Sequence, residues 1–138
     1  MRGFLLDTNV LSEAARAKPS SKVEAFLARP DEMWLSVVSL HEFAFGLTGL
    51  ADVTRRVRLE TWLDSIKEAF VDRLIVVDDK IAETAGRIRG ASALMGRIVD
   101  PLDSVIAATA AIHALTLATR NTRDFVHPNV GLLNPWET

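Results

Sequence analysis

DPLDSVIAATAAIHALTLATRN, residues 100–121, is the stretch that decides the fold. Asp100 can cap a helix, Pro101 suits the first helical position, and Asp103 suits the positive end of the first turn. From Pro101 to Ala114 the side chains are apolar almost all round, so this helix is expected to be buried rather than to float one face in water. Leu115–Ala118 follows as a short apolar strand, and the chain then turns polar at Thr119. A buried helix feeding a short strand is the repeating unit of an α/β domain.

Working upstream, the same alternation recurs. Phe4–Leu6 is a short apolar run ending at Asp7. Thr8–Arg16 reads as a helix broken by Pro19, and Ser20–Ala28 as another, with Val23, Phe26 and Leu27 on one face and Pro30 beyond its end. Met33–Val38 (MWLSVV) reads as a buried strand, followed by a helix over Leu40–Leu47. Asp52–Phe70 is a long amphipathic helix, with Val57, Leu59, Trp62, Leu63, Ile66 and Phe70 at helical spacing. Leu74–Val77 is a strand, Asp79–Met95 a helix, and Leu132 with Leu133 a last short strand downstream. Strands alternating with helices in this order predict an α/β fold with a mainly parallel sheet. Ligands then belong beyond the carboxyl ends of the strands, near the switch point of the strand order.

The chain has 138 residues, which suits one domain over residues 1–138. Hydrophobic residues make up 49%, enough for a proper core. Cysteine is absent, so thiolate metal sites and disulfides are excluded and a reducing cytoplasm is expected. No apolar run is long enough for a membrane span, and the N-terminal residues lack the order of a signal peptide. The net charge of −2 argues against a broad basic face for nucleic acid. If the protein acts on RNA, the attraction must be local.

The acids stand where the strand-end rule points. Asp7 directly follows the first strand, although Asp7-Thr8-Asn9 would also make a helix cap. Glu42 lies a few residues beyond Met33–Val38, although Ser39-Leu40-His41-Glu42 has the form of a capping box. Asp103 lies at the mouth of the buried helix, and Asn121 and Asp124 lie just after Leu115–Ala118. Each has an adequate structural explanation alone. Together, several carboxylates at one sheet edge repel one another unless cations sit between them. An all-oxygen donor set selects a hard cation, Mg²⁺ or Mn²⁺. Two such ions can clamp the attacking and leaving oxygens of a phosphodiester.

At these residues the chain resembles the PIN-domain ribonucleases, in particular the VapC-like and FitB-like toxins of toxin–antitoxin pairs. FLLDTNVLSE (Phe4–Glu13) is similar to the family's first motif, SLHEFAFGL (Ser39–Leu47) to its second and DPLDSVIAATA (Asp100–Ala110) to its third. LTLATRNTRDF (Leu115–Phe125), followed by LLNPWE (Leu132–Glu137), is similar to the ending of these toxins. The resemblance implies a three-layer α/β/α sandwich with a short, mainly parallel sheet. It implies metal-dependent hydrolysis of single-stranded RNA that leaves a 5′-phosphate. Asp7, Glu42 and Asp103 would be the metal-binding and catalytic acids, with Asp124 assisting and Asn121 lining the site; which of the last two fills the fourth acidic position stays open. Arg120 and Arg123 flank the site and can hold a phosphate, with solvated loop charges as the alternative. Thr8 and Ser104 can orient a ligand carboxylate or a water. The implied partners are the RNA substrate, a cognate VapB-like antitoxin that places a basic side chain among the acids, and a second copy in a homodimer. No membrane is expected.

His41 neighbours Glu42, but adjacent helical residues point about 100° apart, so His41 is not assigned a role. His113 and His127 form no metal pair. Trp34, Trp62 and Trp136 read as core or interface groups. Arg55, Arg56 and Arg58 form a basic run on the long helix, either solvated or available to RNA or a partner. The apolar stripe of that helix suits a homodimer or an antitoxin peptide. A haloacid-dehalogenase-like phosphatase would want an Asp where Asn9 stands. The remaining competitor is a PIN-like domain, catalytically weak or inactive, that binds RNA or a protein, which Asn121 favours and the acids Asp7, Glu42 and Asp103 oppose.

Overall fold

The computed structural model describes residues 3–137; Met1, Arg2 and Thr138, which the single-domain expectation includes, lie outside the described residues. Five parallel strands are ordered β3-β2-β1-β4-β5: β1 (Gly3–Leu6), β2 (Glu32–Ser36), β3 (Leu74–Ile75), β4 (Thr116–Ala118) and β5 (Leu132–Leu133). The central strand β1 runs beside β2 with Phe4 opposite Met33, and beside β4 with Leu5 opposite Leu117. The chain moves from β1 to one side of the sheet and later returns to the other side at β4. The carboxyl ends of β1 and β4 are therefore the switch point.

Side chains of β1 alternate between two cores, as the pleat requires. Leu5 joins one cluster with Ile81, Ile88, Ile106 and Leu117. Phe4 and Leu6 join the other with Val10, Phe26, Leu35 and Phe43. Helices α5 (Asp79–Leu94) and α6 (Pro101–Ile112) cover the first face, packed against each other. Helices α1 (Thr8–Ala14), α2 (Ser21–Leu27), α3 (Val37–Thr48) and α4 (Val53–Ala69) contribute to the second. This is a three-layer α/β/α sandwich, and the sheet is parallel throughout.

α6 is the buried helix that its composition predicts: Ser104, Ile106, Ala107, Ala108, Thr109 and Ala110 are all buried. Asp100 caps it through Oδ1, which accepts the N–H groups of Leu102 (2.9 Å) and Asp103 (3.3 Å). Its far end stops at Ile112 rather than Ala114. Leu115 N–H donates to Ala110 O at 2.9 Å and Ala114 N–H to Ala111 O at 3.4 Å, a pair of bonds that closes the last turn with Ala114 at φ 53°. Alanine at that left-handed position carries a steric cost that glycine does not. Ala114→Gly is expected to stabilise the protein by about 0.5–1 kcal/mol, a rise of roughly 2–5 °C in Tm by calorimetry. No gain in Tm would mean that the turn relaxes at no cost.

Other boundaries also differ from the sequence expectation. β2 ends at Ser36, not Val38, and α3 begins at Val37, because Ser36 is the cap: its Oγ accepts the N–H of Val38 at 3.1 Å. The capping box Ser39–Glu42 therefore does not form, and Glu42 sits in the second turn of α3 with its carboxylate free of any capping duty. β3 is confined to Leu74–Ile75, since β2 offers partners only at Leu35 and Ser36; Val76 is 65% exposed. Among the described residues, no helix is long and apolar enough to cross a membrane.

Candidate functional site

Asp7 closes β1 and begins α1. Its N–H donates to Ala118 O at 2.9 Å, continuing the β1–β4 ladder one step past the strand. Its carboxylate is buried and does cap α1, as one reading of the sequence expects: Oδ1 accepts the N–H of Thr8 at 2.8 Å. Oδ2 accepts the hydroxyl of Thr119 at 2.8 Å and the Asn9 amide at 3.3 Å. Burial pushes the Asp7 carboxyl above its ordinary value; the hydrogen bonds from Thr119 and Thr8 oppose this, and the charge of Asp124 adds to it.

Thr8 links Asp7 to Glu42. Its hydroxyl donates to Glu42 Oε1 at 2.8 Å and lies 3.1 Å from Ser39 Oγ. Because α3 starts at Val37, the second turn brings Glu42 against the start of α1. Burial raises the Glu42 carboxyl; the Thr8 bond opposes it, while Asp7 and Asp100 add to it.

Asp103, in the first turn of α6, is the most perturbed of the described acids: its carboxyl is pushed up to about 7. Burial contributes most, followed by the charges of Asp7, Asp100, Glu42 and Asp124. Asp100 is thus a cap that also deepens the negative field, and the N-terminal dipole of α6 softens it.

Asp7, Glu42 and Asp103 line one open cleft of about 580 Å³, together with Thr8, Asn121 and Arg120. Asp124 is exposed in the 3₁₀ turn Thr122–Phe125; it shares a narrow side crevice with Asp103 and reaches the cleft through its charge. Asn121 makes no side-chain cap at that turn, and its N–H donates to Thr119 Oγ1 at 3.0 Å. Two of the candidate residues are not brought to the cleft lining. The Arg123 side chain is exposed and does not line the cleft; its carbonyl accepts from Arg97 at 3.1 Å. Ser104 is buried, and its hydroxyl donates to Pro101 O at 2.6 Å within its own helix.

Further residues, beyond the candidate site residues of the sequence, line the cleft or support it from beneath. Thr119 follows β4 as Asp7 follows β1, and the strand-end rule applied to β4 would have found it. Asn9 bridges the two loops, donating to Asp7 and accepting the N–H of Arg120 at 3.4 Å. Arg16 and Arg55 join Arg120 on the rim, and Trp136 closes one side. Glu13 is held below its usual range, first by the N–H of Ser20 (2.8 Å) and then by Arg16 (3.2 Å). An acidic floor with a basic rim suits a substrate whose anions straddle a cation site, and it supplies the local attraction that the net charge of −2 withholds.

The donor set is oxygen throughout and electrostatically crowded, which fits a hard divalent cation. Among the described residues, no three acidic or histidine side chains are gathered into a ready-made cage. Mg²⁺ is commonly held by one or two carboxylates, keeping its other positions for water and phosphate, so an open arrangement suits it.

A family model described as PIN domain matches residues 4–129. Toxin FitB of Neisseria gonorrhoeae is 35% identical over 136 residues, covering 96% of this chain and 98% of that protein. The tRNA(fMet)-specific endonuclease VapC of Shigella flexneri is 35% identical over 127 residues, 91% of either chain. Among solved structures, FitAcB from Neisseria gonorrhoeae superposes with a TM-score of 0.89 at 34% identity, covering 98% of this chain and 99% of that one.

Proposed function

The chain belongs to the PIN-domain family, and on that premise we propose that it is a divalent-metal-dependent endoribonuclease serving as the toxin of a toxin–antitoxin pair. We read residues 1–138 as a single such domain, acting in the cytoplasm. The observation that carries the reading is the convergence of Asp7, Glu42 and Asp103 on one cleft, with Asp103 pushed up to about 7 by burial and its neighbours' charges. A fold does not keep such a cluster for stability, since neutral side chains in its place would be easier to bury.

Asp7, Glu42 and Asp103 would hold Mg²⁺ or Mn²⁺, with Asp124 approaching from the side crevice and Asn121 lining the site as a neutral oxygen donor. The bound ion supplies Lewis acidity towards the phosphodiester and activates water at neutral pH. The chain's own residues do the rest. Thr8 and Thr119 fix the carboxylates of Glu42 and Asp7 by hydroxyl bonds. Arg120, Arg16 and Arg55 take phosphates of single-stranded RNA on the rim. The same acidic cleft explains inhibition: an antitoxin that inserts a basic side chain neutralises it and blocks the metal site. α4 has no buried residue, and its Leu59 and Trp62 line, with Leu47 and Leu50, a groove that leads to Glu42. That surface is free for the antitoxin or for the second copy of a homodimer.

The test is incubation of the antitoxin-free protein with single-stranded and structured RNA in Mg²⁺ or Mn²⁺, against a chelator. Cleavage that requires the metal and leaves 5′-phosphates supports the reading. A folded protein that binds RNA or a partner but cuts nothing would be the non-catalytic domain that Asn121 and the exposed Asp124 favour. Within the nuclease reading, Thr119→Val removes one hydroxyl donor from Asp7 at nearly constant volume. It also removes the acceptor of the Asn121 N–H, so it is expected to slow cleavage about 10–100-fold and to lower Tm by several degrees. Unchanged cleavage would show that Thr119 is a packing residue only.

A further inference from the structure

We propose that Trp136 is a positioning residue for the substrate: its indole holds the Arg120 guanidinium at the rim of the acidic cleft, where Arg120 takes a phosphate of single-stranded RNA. The proposal rests on the ribonuclease reading and adds to it the C-terminal segment, which the sequence offers only as core or interface.

The Arg120 guanidinium carbon lies 4.9 Å from the centre of the Trp136 ring. Trp136 is half-buried and packs against the core cluster that contains Leu6, Val10, Leu11 and Ala118, so the ring is anchored by the domain's interior. Its backbone is anchored too: Trp136 N–H donates to Asn134 Oδ1 at 2.9 Å and Glu137 N–H to Asn134 O at 3.1 Å. The backbone of Arg120 is tied to the acids from the other side, through Asn9, which accepts the main-chain N–H of Arg120 and donates to Asp7. Arg120 itself is exposed and, among the described residues, has no carboxylate within ion-pair distance; it feels the charge of Glu13, whose close ion pair is with Arg16.

A charge held in place with no carboxylate in direct contact remains available to an incoming anion. Stacking on a ring uses the face of a guanidinium and leaves its in-plane N–H groups free, which suits a phosphate. The ring also removes much of the rotamer freedom that an exposed arginine would otherwise lose on binding.

The test is steady-state cleavage of a labelled single-stranded RNA in Mn²⁺ across a salt series, with binding of the same RNA in Ca²⁺ measured in parallel. Trp136→Leu keeps an apolar group against the core and removes the ring. It is expected to raise KM about three- to tenfold with kcat within about twofold, and to flatten the salt dependence of log KM towards the loss of one phosphate contact, a slope change of about 0.7. Trp136→Phe is expected to restore both. Arg120→Gln alters only an exposed side chain, so it carries the test if Trp136→Leu fails to fold. It should show the same signature, with no further loss on adding Trp136→Leu. If the wild type cleaves and Trp136→Leu leaves KM and salt slope unchanged, or raises KM with the slope intact, the proposal falls while the ribonuclease reading stands. If the wild type binds RNA without cutting it, that reading falls, and the Kd of the variants in Ca²⁺ decides the role of Trp136. A wild type that neither cuts nor binds overturns both.

Discussion

Asp7→Asn is expected to lower metal-dependent RNA cleavage by at least about 1,000-fold while leaving the fold in place. Asp7 stands at the switch point between β1 and β4 and is the most buried of the three cleft acids. Its charge is also the largest contribution to Asp103 after burial. Asparagine keeps an oxygen that can accept the Thr8 N–H, so the start of α1 retains its cap. It places an amide where Oδ2 now accepts from Thr119 and Asn9. The Thr119 hydroxyl can rotate to accept instead, while the Asn9 bond is lost. That loss of about 1 kcal/mol is offset by removing a buried charge, so Tm should move by only a few degrees. Cleavage rates and circular dichroism on the same preparations check both halves. Cleavage within tenfold of wild type, by a variant with unaltered spectra, would remove Asp7 from the metal site.

Asp103→Asn is expected to abolish cleavage and yet to stabilise the metal-free protein at pH 8. The Asp103 carboxyl is raised from 3.8 to about 7 in the folded protein. A carboxyl raised on folding binds its proton more tightly in the native state, so its contribution to stability is full below about pH 4. That contribution is lost as pH climbs towards 7 and is constant at its least favourable above that. Asparagine does not titrate. The variant's advantage should therefore be absent near pH 4 and complete at pH 8. Asp103 is partly exposed and solvent screens it, so the gain is on the order of 1–2 kcal/mol, roughly 3–8 °C in Tm, and not the full value of the shift. Glu42 and Asp7 are raised with the same sign, so the variant also softens with pH, only less steeply. Mn²⁺ should reverse the order, raising the wild-type Tm well above that of the variant. Thermal melts at pH 5 and pH 8, with chelator or Mn²⁺, read the effect. Equal destabilisation of the variant at both pH values would show that Asp103 serves packing and not a cation site.

Much of this protein was legible along the chain. The buried helix α6, the strand that follows it and the order of the remaining elements are local patterns: apolar periodicity, Pro101 behind a capping Asp100, and apolar runs bounded by polar residues. Those patterns determine which faces must be covered, and hence an α/β domain with a mainly parallel sheet and acids at its carboxyl edge, while the two helical layers around it were implied by the resemblance to the PIN-domain ribonucleases. Local patterning did not decide between competing caps. Ser36 and Ser39 are equally good in isolation, and Val37 and Val38 suit a strand as well as a helix. Only the packed sheet chose Ser36, because β2 finds its partners in β1 and β3 and α3 must then turn back over the core. That choice moves Glu42 out of a capping box and onto Thr8. Tertiary structure likewise turned Ser104 into its own helix, left Arg123 outside the cleft and brought Trp136 against Arg120 across the sheet edge. These outcomes depend on distances between segments far apart in sequence, about which hydrophobic period and capping preference carry no information.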